Sequence, residues 1–153
     1  MASTISAHQA ELTHAPQGSL RPLAAQAVEF FSAVERIRPY PEETVLFEEG
    51  QPSAGLFLLL SGRVKLGVRS RRGSQFLFEV AGAGEMLGLS SCVSGKPFEL
   101  TARTLTPCEA IFVPREAFFS FLRERPQSCV EMVKLLCNDL DAAYERLRHL
   151  RRR

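Results

Sequence analysis

The chain has 153 residues, of which 45% are hydrophobic and 24% charged, values typical of one soluble globular domain with a substantial core. A formal net charge of +2 excludes a chain-wide basic field that would by itself indicate nucleic acid or an anionic membrane as the partner. The longest apolar run, at residues 56–60, is too short to cross a bilayer, and the first residues lack the pattern of a secretory signal, so we expect none. We therefore expect a cytoplasmic protein that does not enter a membrane.

The first part of the chain changes from a helical to a strand-like pattern. Residues 1–20 have few apolar anchors, and we expect a flexible tail there. From 23 to 38 apolar residues recur at helical spacing, and Pro39 and Pro41 end the pattern, which predicts one amphipathic helix. Short runs rich in apolar residues then predict strands, separated by Gly and Pro turns; they lie at 44–47, 56–60, 63–68, 76–80, 100–105 and 110–113. Many short strands flanked by helices indicate a mainly β protein of the α+β class, built on a small antiparallel roll.

The segment that we call the glycine-rich loop (residues 82–101) connects two of these strands. It contains four glycines and three serines between residues 82 and 95. Glycine lets backbone N–H groups approach a ligand closely, and a short helical turn would add further N–H donors for an anion. The alternative is an irregular connection between strands that binds nothing.

Two helices are predicted after the roll, one opened by Pro114 and a long one from Pro126 to the end. The long helix shows about three heptads with apolar a and d positions, which favours a homodimer through a two-stranded coiled coil. The side chains expected in that interface are Val133, Leu136, Leu140, Ala143, Leu147 and Leu150. The alternative is a helix packed on its own domain, because Val130, Leu135, Cys137 and Tyr144 widen the apolar face.

The order helix, roll, short helix and long helix resembles the cyclic-nucleotide-binding domain of the bacterial Crp/Fnr (catabolite-activator) transcription regulators. Residues 46–51 (LFEEGQ) and 56–65 (LFLLLSGRVK) resemble the first hairpins of that family, and 82–88 (GAGEMLG) resembles the entry to its phosphate-binding cassette. The resemblance implies a jelly-roll domain at 21–125 and a dimerisation helix at 126–153. It also implies that an effector lies between the loop and the long helix. The expected contacts are Gly84, Glu85, Gly88, Leu89, Ser90, Ser91, Phe98, Glu99, Leu100, Thr101 and Tyr144.

The contacts for a cyclic nucleotide depart from the family pattern. Members that bind cyclic AMP carry a glutamate after the glycine that matches Gly88, and this chain has Leu89. Alignment places Phe98 and Glu99 where an arginine and a small hydroxyl residue would hold the phosphate. The purine-contacting hydroxyls of the helix are replaced as well, by Ala143 and Tyr144. We therefore predict that cyclic AMP and cyclic GMP bind weakly or not at all, unless Lys96 or Arg103 supplies a substitute cation.

Other sensing chemistries have little support in the sequence, and we expect no cofactor. No cysteine precedes Cys92, which argues against a clustered iron–sulfur site. His149 is the only histidine beyond the tail, which makes haem ligation unfavourable. Cys92 lies inside the glycine-rich loop, where a redox role is an alternative to that of a small buried residue.

We expect no DNA-binding domain in this chain, because it stops after Arg153 where the family's winged helix would follow. The leading hypothesis is the effector-sensing and dimerisation domain of a Crp/Fnr-type transcription regulator, which contacts DNA only through a domain outside this sequence. The alternative is a stand-alone interaction module. An enzyme such as a cupin is disfavoured, because residues 44–113 contain no histidine to ligate a metal or act as a base.

Overall fold

The computed structural model describes residues 21–69 and 75–151. Over this part of the chain strands outnumber helices, and the longest element is the last helix. The elements are α1 (Arg21–Val34), β1 (Ile37–Tyr40), β2 (Val45–Phe47), β3 (Gly55–Ser61), β4 (Val64–Arg69), β5 (Gln75–Ala81), β6 (Met86–Leu87), α2 (Leu89–Ser94), β7 (Thr101–Thr104), β8 (Cys108–Pro114), α3 (Arg115–Arg123) and α4 (Pro126–Arg151). Among the described residues, no helix is long and apolar enough to cross a membrane.

The strands form two four-stranded antiparallel sheets. One has the order β1-β8-β3-β6 and the other β2-β7-β4-β5. Apolar side chains from both sheets, among them Phe57, Leu59 and Leu66, meet between them in one buried cluster. The mainly β roll predicted from the sequence is therefore confirmed.

Strand β3 separates this cluster from a second one under the helices. Because successive side chains of a strand point to opposite faces, Phe57 and Leu59 face the roll interior while Leu56 and Leu58 face the helices. Burial on both faces explains why the strand has an unbroken apolar sequence instead of an alternating one. Strand β8 is shared in the same way, with Ile111 in the cluster under the helices and Ala110 in the roll interior, so one sheet forms the common wall.

Aromatic side chains hold the helices against this second face. Phe31 of α1 and Phe121 of α3 are fully buried, with ring centroids 5.3 Å apart. The guanidinium of Arg125 lies 4.1 Å from the centroid of the Phe121 ring, just before α4 begins. Met132 of α4 is also buried here, so the start of the long helix is fixed to the roll.

The predicted extent of the first helix is wrong at its end. Helix α1 stops at Val34, and residues up to Tyr40 form β1, an edge strand paired with β8. A residue that precedes proline disfavours the helical backbone conformation, and this applies to the residues before Pro39 and Pro41. Proline is tolerated in β1 because edge strands leave backbone groups unpaired. Strand β6, inside the glycine-rich loop, was also missed.

Candidate functional site

A pocket of about 530 Å³ lies between the roll, the glycine-rich loop and the two terminal helices. Most of its lining comes from the loop, and the rest comes from β2, β4, β5, α1 and α4. The described lining residues are Ala24, Phe47, Leu66, Glu79, Gly84, Glu85, Met86, Leu87, Gly88, Leu89, Ser90, Ser91, Val93, Ser94, Phe98, Glu99, Leu100, Met132 and Leu136.

The first half of the glycine-rich loop is held to β3 by backbone hydrogen bonds. The Gly84 N–H donates to the Leu59 carbonyl at 2.7 Å, and the Leu59 N–H donates to the Glu85 carbonyl at 3.0 Å. A carboxylate oxygen of Glu85 also accepts the Gly82 N–H at 2.7 Å. Gly84 has a φ of +91°, which favours glycine at this tight turn. These hydrogen bonds fix the first half of the loop against the roll.

Phe98 fixes the second half of the loop. Its ring stacks on Phe47 with centroids 4.1 Å apart and an interplanar angle of 13°. Its backbone N–H donates to the Gln51 carbonyl at 3.0 Å, and its carbonyl accepts the Gly50 N–H at 2.8 Å. Gly88 lies against the same ring, and a Cβ there would come within 2.9 Å of it. The aromatic ring thus occupies the wall where the family resemblance implies an arginine.

The described charges that face the pocket are carboxylates. Glu79, Glu85 and Glu99 line it, and none of the described lining residues is a lysine, arginine or histidine. Burial raises the pKa of Glu79, which lies opposite Leu66 in the β4–β5 ladder. The charged residues among the described lining are therefore all acidic.

Neither proposed substitute cation lines the pocket. Lys96 is exposed after α2, and Arg103 pairs with Glu43 at 3.8 Å. Both lie outside the lining residues. The geometry therefore gives no support to the alternative that one of them replaces the missing arginine.

Nine of the eleven predicted ligand contacts line the pocket, and Thr101 and Tyr144 do not. Thr101 is buried, and its hydroxyl oxygen accepts the Glu49 N–H at 3.0 Å. Tyr144 is half-exposed on α4. The nine that line it are Gly84, Glu85, Gly88, Leu89, Ser90, Ser91, Phe98, Glu99 and Leu100. Whether they contact a ligand stays a prediction.

The long helix reaches the pocket nearer its start than the resemblance implied. Met132 and Leu136, one helical turn apart, line it in place of Ala143 and Tyr144. The apolar pair at a spacing of four residues was visible in the sequence, but only the heptad role of Leu136 was considered. Glu79 was missed because the β5 strand was interpreted only through its apolar alternation.

The residues predicted to form the dimer interface make an apolar stripe along α4, and this stripe is exposed to solvent in the single chain. We define this apolar stripe as Val133, Leu136, Leu140, Ala143, Leu147 and Leu150. Apart from Ala143, which is partly buried, these side chains are between 46% and 67% exposed. Among the described side chains of α4 only Met132 is buried, while Cys129 donates its thiol hydrogen to the Leu122 carbonyl at 3.3 Å. Packing of the helix on its own domain therefore accounts for its first turns only.

Cys92 is fully buried in the cluster beneath the helices. Burial raises the pKa of its thiol, against an opposing effect of the Arg115 charge. Because the thiolate is the reactive form, this environment favours a packing role over redox chemistry. Among the described residues, no group of three His, Cys, Asp or Glu side chains is placed to hold a metal ion.

Comparison with known proteins gives consistent similarities. Residues 37–125 match the family model described as the cyclic nucleotide-binding domain. A CRP-like cAMP-activated global transcriptional regulator of Mycobacterium tuberculosis is 30% identical over 101 residues, 66% of this chain and 45% of that protein. The crystal structure of the Thermus thermophilus catabolite activator protein superposes with a TM-score of 0.73 at 24% identity, covering 89% of this chain and 63% of that one.

The same kind of domain is also matched inside a much larger protein. Lysophospholipase nte1 of Neurospora crassa is 27% identical over 92 residues, which is 60% of this chain but 6% of that protein. The chain thus spans less than two thirds of the length of each of these curated relatives.

Proposed function

This chain belongs to the Crp/Fnr type of the cyclic nucleotide-binding domain family, and we therefore propose that it is the effector-sensing and dimerisation domain of a transcription regulator. In this proposal the domain is not catalytic, and DNA is read by sequence outside it. The observation that carries the proposal is that Leu136 belongs to two sites at once. It lines the pocket, and it is part of the apolar stripe.

This dual position supports a coupling between effector and helix pairing. A molecule in the pocket contacts the glycine-rich loop on one side and Met132 and Leu136 on the other. An effector shifts an equilibrium only by its differential affinity for the two states. If the pairing of two α4 helices moves Leu136, the pocket differs between the two arrangements, and the effector selects one of them.

We propose further that cyclic AMP is not this effector. The Leu89 side chain has no acceptor for a ribose hydroxyl, and the alignment gives Phe98 and Glu99 the positions of the phosphate partners. Loss of one charged hydrogen bond costs about 1.5–3 kcal/mol, and the Glu99 carboxylate adds repulsion. Calorimetric titration of the whole chain with cyclic AMP and cyclic GMP is therefore expected to show no binding up to millimolar ligand. Micromolar binding would contradict this part of the proposal.

Dimerisation is tested by placing a charge in the apolar stripe. Leu140→Glu should convert a dimer into a monomer in sedimentation, because two carboxylates would face each other in the seam. Asn138→Glu adds the same charge at an exposed position of α4 outside the heptad seam and should leave the dimer intact. Equal sedimentation of wild type and Leu140→Glu would contradict dimerisation through this helix.

A further inference from the structure

The pocket is apolar over most of its surface. The side chains responsible come from both sheets, the loop and both terminal helices, so the apolar character does not depend on one element. They are Ala24, Phe47, Leu66, Met86, Leu87, Leu89, Val93, Phe98, Leu100, Met132 and Leu136. A volume of about 530 Å³ is in the range that binds small organic molecules, and such a lining favours a ligand with an apolar body.

The charged side chains that line the pocket are hydrogen-bond acceptors. Three carboxylates line it, those of Glu79, Glu85 and Glu99. Two of the lining hydroxyls are already engaged with backbone: Ser91 donates to the Pro97 carbonyl at 3.2 Å, and Ser94 accepts the Lys96 N–H at 3.2 Å. The carboxylate of Glu79 makes no hydrogen bond or ion pair with another described residue, and burial raises its pKa.

These features disfavour an anion on two counts. A negative charge entering the pocket loses water and meets carboxylates without a described cation to pair with. A hydroxyl or an amine, in contrast, donates to a carboxylate, and the low dielectric of an apolar pocket strengthens that hydrogen bond.

We propose, on the premise that the pocket is the effector site of the proposed function, that its ligand is an apolar small molecule that carries a hydrogen-bond donor and no negative charge. Leu66, Leu100 and Met132 contact its apolar body. The carboxylates of Glu79 and Glu99 accept its donor and reject acidic analogues of the same shape.

The test uses one aromatic scaffold with three different polar groups. The probes are 2-naphthylmethanol, 2-naphthylmethylamine and 2-naphthoate, titrated into the whole chain by calorimetry. Their location is read from methionine methyl signals in NMR, because two of the three methionines, Met86 and Met132, line the pocket. We expect the alcohol and the amine to shift both methyl signals and to bind at least about tenfold more tightly than the naphthoate.

The carboxylates are tested by substitution. The double variant Glu79→Gln with Glu99→Gln keeps the shape of the pocket and removes two charges. It should reduce the difference in affinity between naphthoate and the other two probes. The control, Glu109→Gln, removes an exposed carboxylate of β8 that does not line the pocket and should discriminate as the wild type does. Circular dichroism and the methyl spectrum of each unliganded variant establish that it is folded.

The outcomes separate this inference from the proposed function. If none of the probes, nor either cyclic nucleotide, shifts the Met86 and Met132 signals at millimolar concentration, the pocket is not an effector site and both proposals are overturned. If naphthoate binds as tightly as the alcohol and the amine, the effector site stands and this inference alone is overturned. If a cyclic nucleotide binds as tightly as they do, the effector site also stands, but this inference is overturned together with the proposal that cyclic AMP is not the effector. This inference is also overturned if the double variant shows the same affinity difference between the probes as the wild type, because the carboxylates would then not cause that difference.

Discussion

The glycine-rich loop and the long helix α4 both line the pocket, but they are stabilised differently within one chain. The loop is fixed at both ends by bonds to its own domain, through Gly84 and Phe98. Beyond Met132, α4 presents an exposed apolar stripe that nothing in the described chain covers. The loop is therefore held within its own chain, while α4 beyond Met132 has an apolar face that the described part of the chain does not cover. Substitutions in the loop should destabilise the single chain, and substitutions in the stripe should not.

The largest effect on folding is expected from Phe98→Ala. The side chain is 7% exposed and stacks on Phe47, so its removal opens a cavity in the loop wall. Replacing a buried phenylalanine by alanine costs about 3–5 kcal/mol, and a value near the lower end is expected beside an existing pocket. Urea unfolding measures the loss. Phe98→Leu, which keeps most of the volume, should cost about 1 kcal/mol, and equal losses for the two variants would contradict the packing role.

A smaller effect is expected from Gly88→Ala. Gly88 has a φ of +81°, and a Cβ there would meet the Phe98 ring at 2.9 Å. Gly84→Ala is the matched control, because its φ of +91° imposes similar strain while nothing lies within 4 Å of the new Cβ. We expect about 1 kcal/mol of destabilisation for Gly84→Ala and about 2 kcal/mol for Gly88→Ala in urea unfolding. Equal values would mean that the Phe98 ring moves aside at no cost.

Glu79→Gln should stabilise the unliganded domain at neutral pH, by no more than about 1 kcal/mol because the side chain keeps contact with water. Burial raises the pKa of Glu79 above its ordinary value of 4.5, so the folded protein binds this proton more tightly than the unfolded chain does. The resulting stability is fully present below pH 4.5 and is lost as the pH rises through the raised pKa. The advantage of the glutamine should therefore be seen near pH 7 and should shrink near pH 4. A variant that is less stable than wild type at pH 7 would show that the carboxylate has a favourable partner.

The smallest effect on the fold of the single chain is expected from Leu140→Glu. Its side chain is already 52% exposed, so the substitution should change the free energy of unfolding by less than about 0.5 kcal/mol at concentrations where the chain is monomeric. Urea unfolding at low protein concentration measures this. A loss comparable to that of Phe98→Ala would mean that the stripe packs within its own chain, and the contrast between the two walls would disappear.

The order of the elements could be predicted from the sequence because it depends on local signals. A short apolar run located β3, a period-two pattern located β4, and Pro126 marked the first residue of α4. Strand β1 was missed because its apolar Ile37 continues the helical spacing, so that the predicted helix extended to the residue before Pro39. Strand β6 has only two residues, too few to show a period.

The family and the loop that lines the pocket were determined by the sequence alone, because glycines at turns and residue types at fixed spacing are properties of a continuous segment. The chemistry of the pocket was decided by the tertiary structure. Phe98 stacks on Phe47 from a distant strand, Glu79 faces the pocket through the pairing of β5 with β4, and Met132 reaches it from the last helix. These contacts join residues far apart in the chain, and they depend on how the sheets and helices pack together, which no local pattern contains.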